Sequence, residues 1–191
     1  VPTDLYQWLA IPEPYFAAAV NGEVFSDEPG VFTSVRKKLL AHFPDDITKY
    51  YLAQHAAIAA QTGQYNLLRA HLHGEKLAAD NSKSRFIQSI IAIIFLLNQT
   101  YRPFYKWAPR AMRALPLLGD SIHNKLLRLS KSQDINEQIF LVEDICACIL
   151  SEMRQQGYTS GQSNFFMDHL PEIMSKIKTP EIRERGIHMV F

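Results

Sequence analysis

The chain has 191 residues, 47% apolar and 20% charged, with a formal net charge of +1. That is enough for one domain with a real core and too little for two comparable ones. It excludes a disordered segment and a globally basic nucleic-acid coat, and the scattered eight Gly and ten Pro leave no long linker, repeat or low-complexity stretch.

The N-terminal "VPTDLYQWLA" has neither the cationic start nor the apolar centre of a secretory signal. It also lacks an initiator Met, so we expect a chain that continues upstream in nature or was cut. "GEVFSDEPGVF" is compatible with a short hairpin, and nothing else alternates well. "TSVRKKLLAHF" predicts a helix capped at Thr33, with Val35, Leu39 and Leu40 on one face. Pro44 stops it. "DDITKYYLAQHAAIAAQTG" predicts the next helix, acidic at its start and closed by Gly63, with Asn66 as the cap that follows.

A long helix is predicted from about Glu75 to Asn98, carrying "RFIQSIIAIIFLL". Its apolar run from Phe86 to Leu97 is twelve residues and includes Gln88 and Ser89, whereas a membrane span needs about 20. With Lys83 and Arg85 immediately upstream, this is a buried central helix. Pro103 suits the first position of another helix, which Pro109 should kink or split. "DSIHNKLLRLS" and "DINEQIFLVEDICACILSEMRQQG" are capped amphipathic segments, the second ending at Gly157, and "SNFFMDHLPEIMSKIK" is the last long one. The expectation is an all-α bundle of five or more helices in a single domain spanning residues 1–191.

Few residue patterns carry chemistry. No H-E-x-x-H is present, and "HLHGE" places His71 and His73 on diverging sides of a helix, so no metal site is expected. G-x-S-x-G and phosphate-cradling glycine loops are absent. Cys146 and Cys148 lie about 200° apart on a helix and cannot pair there, which fits reduced thiols in a cytoplasmic protein. Arg36 and His42 in "RKKLLAH" match the spacing of some helical ribonucleases, but on a helix they point some 120° apart. The richest stretch is "NQTYRPFYKWAPRAMRALPLLG". On an unbroken helix Arg102, Lys106, Arg110 and Arg113 fall within about 80° of one another, with Tyr101 and Tyr105 beside them. Such a stripe suits phosphates and stacked bases. The same cations would equally satisfy carbonyls at the end of the preceding helix, while Phe104, Trp107, Met112 and Leu115 pack inward.

The blocks "DLYQWLAIPE", "NGEVFSDEPGVFTSVRKKLL", "TGQYNLLRAHLHGEKLAA", "FLLNQTYRPFYKW" and "ALPLLG" resemble, in the same order, an uncharacterised family. Its members follow a minimal nucleotidyltransferase domain in bacterial proteins, and the resemblance runs from about Leu5 to Phe166. It implies that an upstream core would supply the Gly-Ser turn and paired aspartates that hold Mg²⁺ on a nucleoside triphosphate. The present chain has no such pair, so it would be the substrate-side half of a split site, inactive alone. In that family a basic residue is common where His73 stands, and a carboxylate where Arg85 stands. If Arg85 faces the cleft, its reversed charge weakens any acid–base role there.

The candidate site residues are Gln64, Tyr65, Asn66, Arg69 and Glu75 on one edge. Asn98, Tyr101, Tyr105, Lys106 and Arg110 form the other. Arg69, Lys106 and Arg110 would hold phosphates or an anionic substrate, the tyrosines would stack and the amides would orient. Glu75 is the one candidate base for an acceptor hydroxyl. The expected partners are the upstream core and a small-molecule or nucleotide acceptor, with neither membrane nor nucleic acid. The competing reading is a stand-alone helical interaction module, a homodimer or a toxin–antitoxin-type partner, in which the aromatic and cationic cluster is structural.

Overall fold

A computed structural model describes residues 1–187, and the protein is all-α; no strand occurs among the described residues. Two short helices open the chain, α1 (Leu5–Ala10) and α2 (Glu13–Val20). The Asp4 carboxylate caps α1 by accepting from the Gln7 amide at 2.9 Å. The predicted hairpin does not form. The segment between α2 and α3 (Val31–Leu39) is instead tied down by side chains: Arg36 donates to the Val20 and Gly22 carbonyls, and Asp27 accepts from the Thr33 amide. Thr33 therefore lies inside α3, which starts after Gly30.

Helix α4 (Asp45–Ala59) has two aspartates in its first turn and buries Ile47, Leu52 and a run of alanines. It does not stop at Gly63. The chain passes without a break into a π-helical segment (Ala60–Asn66) and then into α5 (Leu67–Leu72). The reason is packing against α6 (Lys76–Leu97), the central helix. A Cβ on Gly63 would sit 2.2 Å from Cδ2 of the fully buried Phe86. Only a residue without a side chain permits that approach. Ile90, Ile91, Ile94 and Leu97 are buried, as their apolar run predicts.

Helix α6 ends at Asn98 as expected, but no helix starts at Pro103. The chain is irregular until α7 (Ala108–Met112), which has Pro109 in its first turn. The unbroken cationic stripe is therefore absent. Helices α8 (Gly119–Lys131) and α9 (Ile135–Gln155) pack together, α9 being capped by the Asp134 carboxylate and closed at Gly157, whose φ is +76°. The last predicted long helix, Ser163–Lys178, is broken into a 3₁₀ turn (Phe166–His169) and α10 (Leu170–Ser175), and a further short helix, α11 (Pro180–Arg183), follows it. The Asp46 carboxylate locks this end to α4 by accepting from the Lys178 and Thr179 amides and the Thr179 hydroxyl. No helix among the described residues is long and apolar enough to cross a membrane.

Candidate functional site

The π-helical turn widens the helix by one residue per hydrogen-bonded ring, which re-aims the side chains that follow it. Here it carries "AQTGQYN", and the Thr62 hydroxyl reinforces the distortion by donating to the Ile58 carbonyl at 2.6 Å. Asn66, at the end of this segment, and Arg69, one turn beyond it, face the start of α6 across a cleft of about 520 Å³. Glu75, Asn81 and Arg85 line its other side, with His73 at the turn between α5 and α6. Arg69 is held in place from within its own helix. Its guanidinium donates to the Tyr65 hydroxyl at 2.8 Å and lies 4.9 Å from the centre of the Tyr65 ring.

A second polar cavity of about 460 Å³ adjoins the first, sharing Asn81 and Arg85 and adding His55, Gln88 and Arg102. Burial, and then the charge of Arg102, pushes His55 down to about 3, so its imidazole is neutral at neutral pH. Its Nδ1 is enclosed and has no hydrogen-bond partner among the described residues. Arg102 is anchored by Glu13, whose Oε2 lies 3.3 Å from the guanidinium Nε and whose Oε1 accepts from the Arg102 amide at 2.8 Å. Burial raises the Glu13 carboxyl against the pull of this partner. Arg69, Arg85 and Arg102 line the two cavities with the Glu75 carboxylate, and Arg102 is paired with Glu13. Cationic groups outnumber carboxylates there even with Glu13 counted.

Beyond Arg102 the surface turns apolar. A small cavity of about 240 Å³ runs over Gln88, Ile91, Phe104 and Tyr105. It meets a larger one of about 780 Å³ walled by Tyr15, Ala17 and Ala18 of α2 and by Phe104 and Trp107.

Three of the predicted residues, Asn66, Arg69 and Glu75, meet in the polar cleft, with Tyr65 behind Arg69. Tyr105 lines the small apolar cavity and is 76% exposed. The others are elsewhere. Gln64 points away from the cleft, donating to Glu143 and the Asn164 carbonyl and accepting from the Phe166 amide. The Asn98 amide clamps the end of α6, donating to the Ile94 and Leu117 carbonyls and accepting from the Leu117 amide. Tyr101 is buried in a ring cluster with Phe16, His42 and Phe43, its hydroxyl donating to the Leu39 carbonyl at 2.9 Å. It also borders the larger apolar cavity, with 5% of its surface exposed. Lys106 and Arg110 are exposed but line none of these cavities; the Lys106 amine sits 5.5 Å from the Trp107 ring centre.

One further expectation changes: Phe104 and Trp107, predicted to point inward, are each 54% exposed. Arg36 and His42 do not converge, as their helical spacing implies: Arg36 holds the chain before α3, and His42 is stacked against Phe43 and Tyr101. The sequence reading also missed His55, Asn81, Gln88 and Arg102 as one site. A signal existed, since Ala78, Asn81, Ser82, Arg85 and Gln88 recur at three- and four-residue spacing and so share one face of the helix.

The family described as Domain of unknown function (DUF4037) matches residues 8–108, more than half of the chain. The chain belongs to that family. Both polar cavities lie wholly within the residues that the DUF4037 family covers, while α8 to α11 lie outside them. No curated protein and no solved structure matches the chain.

Among the described residues no three His, Cys, Asp or Glu side chains gather closely enough to hold a metal ion. The cleft offers Glu75 as its one carboxylate, and that donor set does not fit Mg²⁺, which takes near-octahedral oxygen coordination.

Proposed function

We propose that the chain is the helical substrate-binding part of a nucleotidyltransferase-type protein, joined to a core that supplies the metal-holding carboxylates. One observation carries this reading: the π-helical turn gathers Asn66, Arg69 and Glu75 with Arg85 into one cation-rich cleft. Arg69, braced by Tyr65, and Arg85 take anionic oxygens by charge-assisted hydrogen bonds. Asn66 and Asn81 orient polar groups of the ligand. Glu75 stands at the open start of α6 and is the carboxylate placed to accept a proton from an acceptor hydroxyl, a role that Arg85, lining the same cleft, weakens.

Two tests address this. The gene should encode a nucleotidyltransferase core upstream of Val1, and that longer protein should release pyrophosphate from a nucleoside triphosphate in the presence of Mg²⁺. Arg69→Ala should weaken binding of inorganic pyrophosphate to the 191-residue chain by about tenfold or more, the worth of a charged hydrogen bond. Pyrophosphate release by the 191-residue chain alone, abolished by a point mutation within it, overturns the split-site reading.

A second reading, the helical interaction module, draws on the exposed Tyr15, Phe104, Tyr105 and Trp107. It predicts a dimer that Trp107→Ala dissociates, read by sedimentation.

A further inference from the structure

One face of α6 lines all four cavities. Asn81 and Arg85 belong to both polar ones, Gln88 bridges the second polar cavity and the small apolar one, and Ile91 and Phe95 floor the apolar end. These residues recur at three- and four-residue spacing, so they form one seam along the helix. From Ala78 to Phe95 the seam runs about 26 Å at 1.5 Å per residue. Its chemistry changes once along that length, from amides and guanidiniums to Ile91, Phe95 and the rings of Phe104 and Trp107. Arg102 stands at the changeover, lining both the second polar cavity and the small apolar one. It is fixed there by Glu13.

The apolar end is open for a physical reason. α2 presents Ala17 and Ala18 opposite the large rings, which leaves about 780 Å³ between them. The core beside this space is already filled, with Phe16 and Phe43 in ring contact with each other and with both Trp8 and Tyr101. Phe104 and Trp107 therefore wall the space without filling it, and each keeps more than half of its surface exposed. A ligand that entered only the polar cleft would leave this surface wet.

We propose that the trough along α6 binds an amphipathic anion, a phosphorylated or carboxylated small molecule with an apolar body. Its head group lies among Arg69, Arg85 and Arg102, and its body lies against Ile91, Phe104 and Trp107. The inference rests on the polar cleft being the substrate end. The dimensions suit it: six residues separate Arg85 from Ile91, a rise of about 9 Å. Charge complementarity selects the anion, and the burial of apolar surface adds affinity with every carbon placed between the rings and α2.

The test titrates the 191-residue chain with inorganic phosphate and with ethyl, butyl, hexyl and octyl phosphate below their micelle concentrations. Calorimetry gives the affinities. Trp107 emission is a local reporter, because Trp8 is 7% exposed and Trp107 is 54% exposed. Affinity should rise about threefold to fourfold per methylene until the apolar end is filled, the transfer value for a buried CH₂. Phe104→Ala and Trp107→Ala should flatten that rise and leave ethyl phosphate unchanged. Arg85→Gln should weaken the whole series without altering the rise, and Arg69→Ala, on an exposed side chain, gives the same readout if Arg85→Gln fails to fold.

Octanol binding as tightly as octyl phosphate overturns the proposal, and so does a rise that survives in the Phe104→Ala, Trp107→Ala double variant. Phosphate binding with no dependence on chain length overturns this inference and leaves the substrate-cleft reading standing. No binding of any phosphate, inorganic phosphate included, overturns the substrate-cleft reading and this inference with it.

Discussion

Gly63→Ala tests whether the π-helical turn is set by its contact with α6. An added methyl would lie 2.2, 2.6 and 2.9 Å from three carbons of the Phe86 ring, inside any tolerable contact. Phe86 is fully buried and has no space to retreat into. Overpacking of this kind costs about 1–3 kcal/mol. Alanine recovers about 1 kcal/mol of helix propensity over glycine, so the net loss is up to about 2 kcal/mol. For a chain of this size that lowers the melting temperature by up to about 8 °C, measured by circular dichroism. Phe86→Leu vacates part of the ring's volume, so in the double variant the two losses should add to less than their sum by about 1–3 kcal/mol. Because Asn66 ends the same turn and Arg69 follows it, Gly63→Ala should also weaken pyrophosphate binding to the folded protein. A melting temperature raised by 2–4 °C, the bare propensity gain, would refute the packing account. A lowered melting temperature with unchanged affinity would show that the turn does not position the cleft.

Ile94→Ala, at a fully buried position of α6, should cost about 2–5 kcal/mol in denaturant unfolding. Tyr101→Phe removes the donor to the buried Leu39 carbonyl and should cost about 1–3 kcal/mol, with ligand affinity unchanged if the ring is core and not a stacking platform. Trp107→Ala should cost well under the 3–5 kcal/mol of a fully buried ring, because more than half of it is already exposed. Hydrogen bonds from the Ser160 amide, Lys176 and the Thr159 hydroxyl hold the Glu172 carboxyl at about 2, below its ordinary value of 4.5. A depressed carboxyl stabilises the fold above its unfolded value and loses that effect as pH falls, so stability should drop between about pH 4.5 and 2. Glu172→Gln should flatten that part of the profile in acid-unfolding titrations.

The parts of the fold that were legible in the sequence are those fixed by local chemistry or by sheer hydrophobic length. Asp134 and Gly157 bound α9 because a carboxylate cap and a left-handed glycine act within a turn of the helix they close. The apolar run of α6 has no face to turn to water, so its burial follows from composition alone. Gly63 misled for the opposite reason. As a local signal glycine ends helices, but here it is retained for a contact with Phe86, a residue 23 positions later that only the folded chain brings near. The cleft was half legible for the same reason. Asn66, Arg69 and Glu75 are neighbours along the chain, whereas His55 and Arg102 join them only once α4, α6 and the segment after α6 have docked.

The rings and cations of "NQTYRPFYKWAPR" show how prolines decide between core and rim. A helix through this stretch would have given it one apolar face, and Phe104 and Trp107 would have gone inward. Pro103 donates no backbone hydrogen and disfavours helical geometry in Arg102, while Pro109 can only begin a helix. The segment therefore leaves Asn98 as an irregular strap, its first ring inserted and its later rings left at the surface. Tyr101 inserts because a buried carbonyl, Leu39, waits for its hydroxyl and three aromatic neighbours surround it. Phe104, Tyr105 and Trp107 find that cluster full and lie over the crease between α2 and α6 instead. The cations divide in the same way: Arg102, next to the inserted ring, is drawn to Glu13 and faces the trough, while Lys106 and Arg110 stay in solvent. One composition thus serves as a core lock at its start and as the wall of an open apolar cavity at its end.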